Sequence, residues 1–296
     1  MLTLFTIPRE FSGHAGVIQD NAIASWSRLG TGCETILFGD DFGVAEAAER
    51  HGARHIPDVQ RNQTGTPILA DVFTRAEALA NNSILCFVNA DIILFGDLIA
   101  ALNRLSGNLL MVSSRFNCHI TGPIAFGPNW DHELRARALR EARMYPAGGS
   151  DLFAFRAGLF DVIPPFAIGR GYWDNWLMRR ARQRGARLID VTPAVVALHQ
   201  DHDYAHIPGV PIETARGDFL DCASEEIEYN LALAGGRSRL YTVYDATEIM
   251  MGDGRLVSTL RPGMVGRRLK AWLRRLIAMI LPSGAPRVHR PIRSSK

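Results

Sequence analysis

A short apolar segment, Ile84–Val88, constrains this chain most, because polar residues interrupt its apolar pattern at a defined place. Asn89-Ala90-Asp91 follows the segment directly, and apolar residues resume at Ile92. A short apolar run bounded by polar turn residues is typical of a strand that is buried on both faces. An unpaired carboxylate is costly to bury, so we expect Asp91 at the carboxyl end of this strand, facing a positive group. In open α/β sheets that edge is where ligands bind.

The polar pair Asn89 and Asp91 has two interpretations, which this stretch alone supports equally. Side chains two residues apart point the same way from an extended backbone, so the pair is able to share Mg²⁺ or Mn²⁺. Alternatively, Asn89 forms a turn at the strand end and Asp91 caps the next helix.

Strand and helix patterns alternate along the first two thirds of the chain. Strands are predicted at residues 2–7, 35–38, 53–56, 84–88, 109–113, 152–155, 187–191 and 194–198. Helices are predicted at residues 17–29, 44–51, 67–80, 98–105, 131–144 and 174–183, with Thr66 as the N-cap of the third. This alternation predicts right-handed βαβ units and an α/β fold with a mostly parallel sheet.

Composition and cysteine use are those of an ordinary globular protein. Of the 296 residues, 47% are hydrophobic and 21% are charged, and the four cysteines show no spacing typical of zinc or of a disulfide framework. The N-terminus lacks the features of a signal peptide, and no apolar run approaches about 18 residues. No GxGxxG follows the first strand and no P-loop motif occurs, which argues against nicotinamide dehydrogenases and P-loop NTPases. We therefore expect a cytoplasmic protein that does not span a membrane.

Charge is distributed unevenly along the chain. Residues 261–296 hold ten of the 33 Lys and Arg residues and none of the 30 Asp and Glu residues, which leaves a net charge of −7 on residues 1–260. Within residues 264–281 the large apolar side chains share one arc of a helical wheel: Val265, Leu269, Trp272, Leu273, Leu276, Ile277, Met279 and Ile280. Such a basic amphipathic helix predicts binding to an anionic membrane surface. The alternatives are a helix docked on the body of the protein and, with less support, nucleic-acid binding.

Two further places carry polar groups at the predicted ligand edge. Asp40 and Asp41 end the second predicted strand, where a carboxylate is placed to accept hydrogen bonds from a ribose or a base. A simple strand-end turn is the alternative, and it is favoured slightly more for Asp41 than for Asp40. Residues 63–67 open a helix whose free N–H groups are able to face a phosphate or a sugar, although a helix cap explains them nearly as well.

The sequence Tyr172-Trp173-Asp174-Asn175-Trp176 places a carboxylate between two tryptophans at a helix start. A helix N-cap is one interpretation. The other, which we favour, is a sugar-binding pocket in which Asp174 removes a proton from an attacking hydroxyl.

His199 follows the last predicted strand and begins a segment rich in metal-binding side chains: Asp201, His202, Asp203 and His206. Their spacing matches no zinc motif. We therefore interpret His199 alone as joining a carboxylate site from a distant strand, and His202 and His206 as loop-surface or acceptor-site residues.

The order of these groups along the chain points to a family. The set comprises Asp40, Asn89-Ala90-Asp91, Gly149-Ser150-Asp151, Asp174 and His199. It resembles the nucleotide-sugar-dependent glycosyltransferases of the GT-A fold, most of all bacterial enzymes of surface-polysaccharide assembly, and the resemblance covers about residues 1–206. It implies a Rossmann-like fold with a mostly parallel central sheet. The expected organisation is a GT-A domain at residues 1–236, a connecting segment at 237–260 and a basic amphipathic tail at 261–296.

The resemblance also implies roles for individual residues. In this family a D-x-D motif at the end of the central strand holds Mn²⁺ or Mg²⁺ against the donor diphosphate. Asp91 matches this motif and is implied as a metal ligand. The family often completes the metal site with a late histidine and places its base at a helix start, which implies His199 as a second ligand and Asp174 as the catalytic base. The residues implied to bind the cofactor or nucleotide are Thr6, Pro8, Arg9, Asp40 and Asn89, the last standing where the family has Asp.

The implied activity is metal-dependent transfer of a sugar from a nucleoside diphosphate sugar to the hydroxyl of a glycan or lipid-linked acceptor. It would serve cell-surface glycan assembly on the inner face of the cytoplasmic membrane. A base at Asp174 implies inversion, whereas a retaining enzyme would need no such base, so the stereochemistry stays open. One alternative is a non-catalytic, degenerate transferase domain that acts as an assembly partner at the membrane surface. The other is a metal-dependent hydrolase built on His199, His202 and His206.

Overall fold

The computed structural model describes residues 1–145, 150–202 and 224–259. Its strands are β1 Leu2–Thr6, β2 Cys33–Phe38, β3 Arg54–Ile56, β4 Ile84–Val88, β5 Ile92–Ile93, β6 Leu109–Cys118, β7 Arg143–Met144, β8 Ser150–Arg156, β9 Arg187–Asp190, β10 Ala197–Gln200, β11 Glu248–Met250 and β12 Leu256–Ser258. Its α-helices are α1 Gly13–Trp26, α2 Val44–His51, α3 Leu69–Leu79, α4 Asp97–Leu102, α5 Trp130–Glu141, α6 Trp173–Gln183 and α7 Glu225–Leu233.

The strands form one sheet whose main path runs β12-β11-β9-β6-β8-β4-β1-β2-β3. The strands β4, β1, β2 and β3 are parallel to one another, and so are β6, β9 and β11. β8 lies between these two groups and is antiparallel to both β4 and β6. The predicted α/β class with a mostly parallel sheet is therefore confirmed.

Strand β4 is buried on both faces, as its sequence predicts. Leu85 and Phe87 join a core cluster that includes Phe73 of α3. Cys86 and Val88 point the other way, into a second cluster that includes Trp26 of α1. Because side chains alternate across a strand, one apolar run supplies both cores. The strand ends, where the polar residues begin, are thereby held rigidly.

A second pairing region at the end of β6 brings distant residues to Asp91. β6 carries a register shift between Ser113 and Ser114, and beyond it the strand pairs with β10 instead of β9. β10 also pairs antiparallel with β5, which sets His199 opposite Ile92. A bulge that redirects a strand next to a ligand edge is a common device in sheets.

Several element ends differ from those that the sequence predicts. The last strand, predicted at residues 194–198, lies at Ala197–Gln200, because its register is set by pairing with β5 and β6. Helix α3 begins at Leu69 without a side-chain cap, so Thr66 is not its N-cap. The helix predicted at residues 131–144 ends at Glu141, because Arg143–Met144 pairs with β6.

Within the described ranges, no helix is long and apolar enough to cross a membrane. The predicted amphipathic helix at residues 264–281 lies outside the described residues, as do Asp203 and His206. The division into a domain at 1–236, a connecting segment at 237–260 and a tail at 261–296 stays a prediction.

Candidate active site

A cleft of about 870 Å³ opens at the ligand edge of the sheet. Six of the eight residues to which the family resemblance assigns a role line it: Thr6, Pro8, Arg9, Asn89, Asp91 and Asp174. Among the described residues, Asp40 and His199 are outside this lining, whereas Asp41 belongs to it. The carboxyl ends of β1 and β4 and the start of α6 therefore converge on one cavity, as expected for an open α/β sheet.

Asp91 lies against two imidazoles. Its Oδ2 atom is 3.0 Å from Nε2 of His202 and 3.4 Å from Nε2 of His199. One potential ligand atom from each of the three side chains lies within 4.8 Å of the others. Oδ1 of Asp91 and both ring nitrogens of His199 are buried without a hydrogen-bond partner. Buried polar atoms are nearly always satisfied, so these orphaned atoms fit a site that holds a cation.

The ionisation states of this cluster suit a cation as well. Burial opposes ionisation of Asp91, but the two imidazoles, His199 foremost, outweigh it and hold the pKa of the carboxyl well below its ordinary value. Burial, together with the nearby Arg115, lowers the pKa of His199 although Asp91 opposes this. The ionised carboxylate is the form of Asp91 that binds a metal.

His202 belongs to this cluster, and the sequence interpretation that placed it on the loop surface was wrong, whereas a place in an acceptor site stays a prediction. Its side chain is only 9% exposed, because β10 extends to Gln200 and delivers His202 beside Asp91. The many histidines after the strand indicate a metal site, but the sequence pattern ends the strand at residue 198, two residues before its end in the structure.

Asn89 is hydrogen-bonded to Asp151. Its side-chain amide donates to Oδ1 of Asp151 at 2.6 Å, and its backbone N–H donates to the Asp151 carbonyl at 3.1 Å. Arg115 donates to Oδ2 of Asp151 at 2.9 Å and lies over the Tyr145 ring at 4.4 Å. Arg115, Tyr145 and Asp151 all line the cleft. Nothing in the sequence pairs residues 115 and 151, which only the antiparallel register of β6 and β8 brings together.

Asp174 lies in the first turn of α6, not at its N-cap. Tyr172 takes the cap position with φ of 65°, a left-handed backbone that is rare for a bulky residue. Burial raises the pKa of Asp174 to about 7, and the charge of Asp151 acts in the same direction. The backbone N–H of Asn175 and the charge of Arg115 oppose the shift. A carboxyl that titrates near neutral pH in a cleft is suited to general base or acid chemistry.

The two tryptophans beside Asp174 belong mainly to the core, and only one of them lines the cleft in which the sequence analysis expects a sugar pocket. Trp173 packs edge-on against Phe87 at 5.2 Å between ring centroids, although it also lines the cleft. Trp176 packs against Phe166 at 5.6 Å and lies outside the cleft lining. Residues on adjacent turns of α6 face the sheet because that face is its apolar stripe.

A polar network around Glu226 includes three residues that line the cleft, namely Thr64, Thr66 and Arg170. Glu226 of α7 accepts from Asn62 at 2.7 Å, from Thr64 at 2.6 Å and from Nε of Arg170 at 2.6 Å. Burial opposes ionisation of Glu226, but these hydrogen bonds outweigh it and lower its pKa to about 2. Thr66, expected to cap a helix, instead lies 3.3 Å from Arg170.

Arg61 is a further cleft residue that the sequence interpretation did not include. It donates to Asp40 at 3.0 Å and to Asp41 at 3.2 Å, and both it and Asp41 line the cleft. The Asp40 side chain is 70% exposed, so Asp41 and Arg61 face the cavity more directly than Asp40.

Comparisons with known proteins complete the description. No model of a known protein family matches the chain. No curated protein sequence matches it either. Among solved structures it is similar to a mannosyltransferase from Pyrobaculum calidifontis in complex with GDP-Man and Mn²⁺, at 15% identity and a TM-score of 0.46. That match covers 69% of this chain and 58% of the mannosyltransferase chain, so this chain spans less than two thirds of that protein.

Two other solved structures are similar at comparable levels. Glucosyl-3-phosphoglycerate synthase from Mycobacterium tuberculosis, in complex with Mg²⁺ and UDP, shows 16% identity and a TM-score of 0.45, covering 88% of this chain and 87% of that one. Residues 1–349 of TarS from S. aureus, in complex with UDP-GlcNAc, show 13% identity and a TM-score of 0.47, covering 81% of this chain and 72% of that one.

Proposed function

We propose that this chain is a GT-A glycosyltransferase that transfers a sugar from a nucleoside diphosphate sugar to an acceptor hydroxyl with the help of Mn²⁺ or Mg²⁺. One observation supports this most: a carboxylate–imidazole cluster with orphaned buried atoms shares a cleft with a second carboxyl whose pKa is about 7. A cation site and a separate base in one cleft suit transfer with inversion of configuration.

Asp91, His199 and His202 would hold the cation. Both orphaned nitrogens of His199 and Oδ1 of Asp91 are available as ligand atoms, whereas Asn89 is turned toward Asp151. When bound, Mn²⁺ or Mg²⁺ supplies positive charge that neutralises the departing diphosphate.

Asp174 acts as the general base in this proposal. A carboxylate oxygen of Asp174 takes the proton of the acceptor hydroxyl as that oxygen bonds to the anomeric carbon. The bond from the anomeric carbon to the diphosphate oxygen breaks, and the diphosphate leaves with the electron pair. Attack from the face opposite the leaving group inverts the anomeric configuration.

The nucleotide would bind along the ends of β1 and β2. Thr6, Pro8 and Arg9 line this part of the cleft, and Asp41 and Arg61 lie at its border. Carboxylate and guanidinium groups are suited to the polar edges of a ribose and a base. Asp40 contributes to this part of the site by forming an ion pair with Arg61.

We further propose that the protein works in cell-surface glycan assembly, peripherally on the inner face of the cytoplasmic membrane. The support is the sequence of residues 264–281, which combines an apolar arc, a tryptophan and basic residues without any acidic residue. The acceptor in such a setting is a glycan or a lipid-linked glycan.

The proposed activity is tested by calorimetric titration with UDP and GDP, with and without Mn²⁺. A screen of nucleotide sugars for release of the nucleoside diphosphate follows. We expect Mn²⁺-dependent nucleotide binding and release, both lost in Asp91→Asn and retained in Asp58→Asn, which changes an exposed carboxylate outside the cleft lining.

Other outcomes would support the rival functions. A protein that binds Mn²⁺ but no nucleotide favours a metal-dependent hydrolase. A protein that binds neither favours a non-catalytic assembly partner.

A further inference from the structure

Asn89 stands where the D-x-D motif has its first Asp, and it belongs to a hydrogen-bonded group of three residues that line the cleft. Asn89 follows β4, Arg115 lies in β6 and Asp151 lies in β8, so the arrangement joins three adjacent strands. The Asn89 amide donates a hydrogen bond to Oδ1 of Asp151 at 2.6 Å, and the Arg115 guanidinium donates one to Oδ2 at 2.9 Å. Both the Arg115 and the Asp151 side chains are 9% exposed. Asp151 is therefore a buried charge with a donor on each oxygen.

An aspartate at position 89 would not fit this arrangement. A carboxylate has no N–H to donate, so Asp151 would lose the donor on Oδ1. Two carboxylates at hydrogen-bond distance also repel each other strongly when both are ionised. Since removing one partner of a buried charge is destabilising, we expect the amide at position 89 to stabilise Asp151.

We infer that Asp151 is a positioning residue, fixed by the amide of Asn89 and by Arg115, which sets the environment of Asp174 and takes no part in holding the cation. The inference rests on the proposed function, because it takes Asp174 as the base. Positions 89 and 151 then form a pair that needs one amide and one carboxylate.

Asp151, Arg115 and Asp174 line the same cleft, so the charge held at Asp151 shares one cavity with the proposed base. The charges around Asp174 agree with this role. Among the described groups, Asp151 on β8 disfavours ionisation of Asp174, while Arg115 on β6 favours it. The acidity of the base therefore depends on a charge that Asn89 and Arg115 hold in place. A purely structural hydrogen bond would leave the pH dependence of activity unchanged.

The test compares Asn89→Asp, Asp151→Asn and the exchange variant that carries both substitutions. Asn129→Asp, an exposed residue before α5, serves as the control for the same chemical change. Measurements are the unfolding temperature, calorimetric Mn²⁺ affinity and the pH profile of kcat/KM for sugar transfer.

We expect Asn89→Asp to unfold at a lower temperature and to lose at least about tenfold in kcat, while the exchange variant recovers most of both losses. Mn²⁺ affinity should stay within about threefold of wild type in all of them, because Asp91, His199 and His202 are intact. In Asp151→Asn the acid limb of the profile should move to lower pH by roughly half a unit or more.

Stronger Mn²⁺ binding in Asn89→Asp would overturn the inference, since it would make position 89 an unused ligand site. Failure of the exchange variant to recover stability would also overturn it. If the wild type transfers no sugar, the proposed function fails, but stability and Mn²⁺ affinity still decide whether Asn89 and Asp151 act as a unit.

Discussion

Replacing Asp174 by Asn should make the protein more stable at neutral pH while abolishing transfer. The pKa of Asp174 is raised from an ordinary 3.8 to about 7, chiefly by burial. The folded state therefore binds a proton more tightly than the unfolded chain does. Stability that is present below pH 3.8 is lost as the pH rises toward 7. At about 1.4 kcal/mol per pKa unit, this difference in pKa between the folded and unfolded states lowers the free energy of unfolding by about 4 kcal/mol at pH 8 and about 2 kcal/mol at pH 5, relative to its value below pH 3.8.

Asp174→Asn removes this pH-dependent loss. The gain in unfolding free energy should be at most about 4 kcal/mol at pH 8, should halve at pH 5 and should vanish below pH 4. Urea unfolding followed by circular dichroism at the three pH values measures it, with Asp58→Asn as the exposed control. In the wild type, kcat/KM should fall about tenfold for each pH unit below 7, and in the variant kcat should drop by about 10²–10⁴. Equal stability of variant and wild type at pH 8 would refute the claim that ionised Asp174 destabilises the folded protein.

The metal cluster and the tail give two further predictions. His202→Ala should weaken Mn²⁺ binding by at least about tenfold in calorimetry, because it removes one of three convergent ligand atoms, whereas His132→Ala on the exposed surface should not. An unchanged affinity would leave Asp91 and His199 as the ligands. Deletion of residues 261–296 should release the protein from anionic vesicles in a sedimentation assay without changing turnover on a soluble acceptor. Retention of the truncated protein on the vesicles would show that the tail is not the anchor.

Local pattern predicted the elements whose ends are set by their own residues. Helix α2 lies at Val44–His51 as predicted, with glycines in left-handed conformation at both of its caps. Strand β4 is buried on both faces, as its uninterrupted apolar sequence requires. The placement of Asp91 and Asp174 in one cleft follows from the same topology, because both lie at the ligand edge of one sheet.

Features that depend on strand register were not predictable in the same way. The pairing of Arg115 with Asp151 requires the antiparallel strand β8 and the shift between Ser113 and Ser114. His202 reaches Asp91 only because β10 is displaced by pairing with β5. The aromatic content around Asp174 suggested a sugar platform, yet Trp176 faces the core. Tertiary packing decided each of these points; the local sequence showed the density of histidines around His202 but not the strand register that brings it to Asp91.

The distribution of cations in the cleft leads to a last prediction, about Arg9. Four arginines line the cavity, and three of them are committed to carboxylates: Arg61 to Asp40 and Asp41, Arg115 to Asp151, and Arg170 to Glu226. Arg9 is the cleft arginine that has no ion pair with a carboxylate in the described ranges of the chain. An incoming diphosphate would therefore be met by Arg9 and by a bound cation, since the other guanidinium groups are already neutralised.

Arg9→Ala should weaken UDP binding by about 10- to 100-fold, because a hydrogen bond to a charged group contributes about 1.5–3 kcal/mol. Arg61→Ala leaves the net charge at this border of the cleft more negative and should also weaken binding. Only Arg9→Ala, however, should abolish the residual UDP binding that remains without Mn²⁺. If both variants bind UDP equally in the absence of Mn²⁺, the diphosphate does not depend specifically on Arg9.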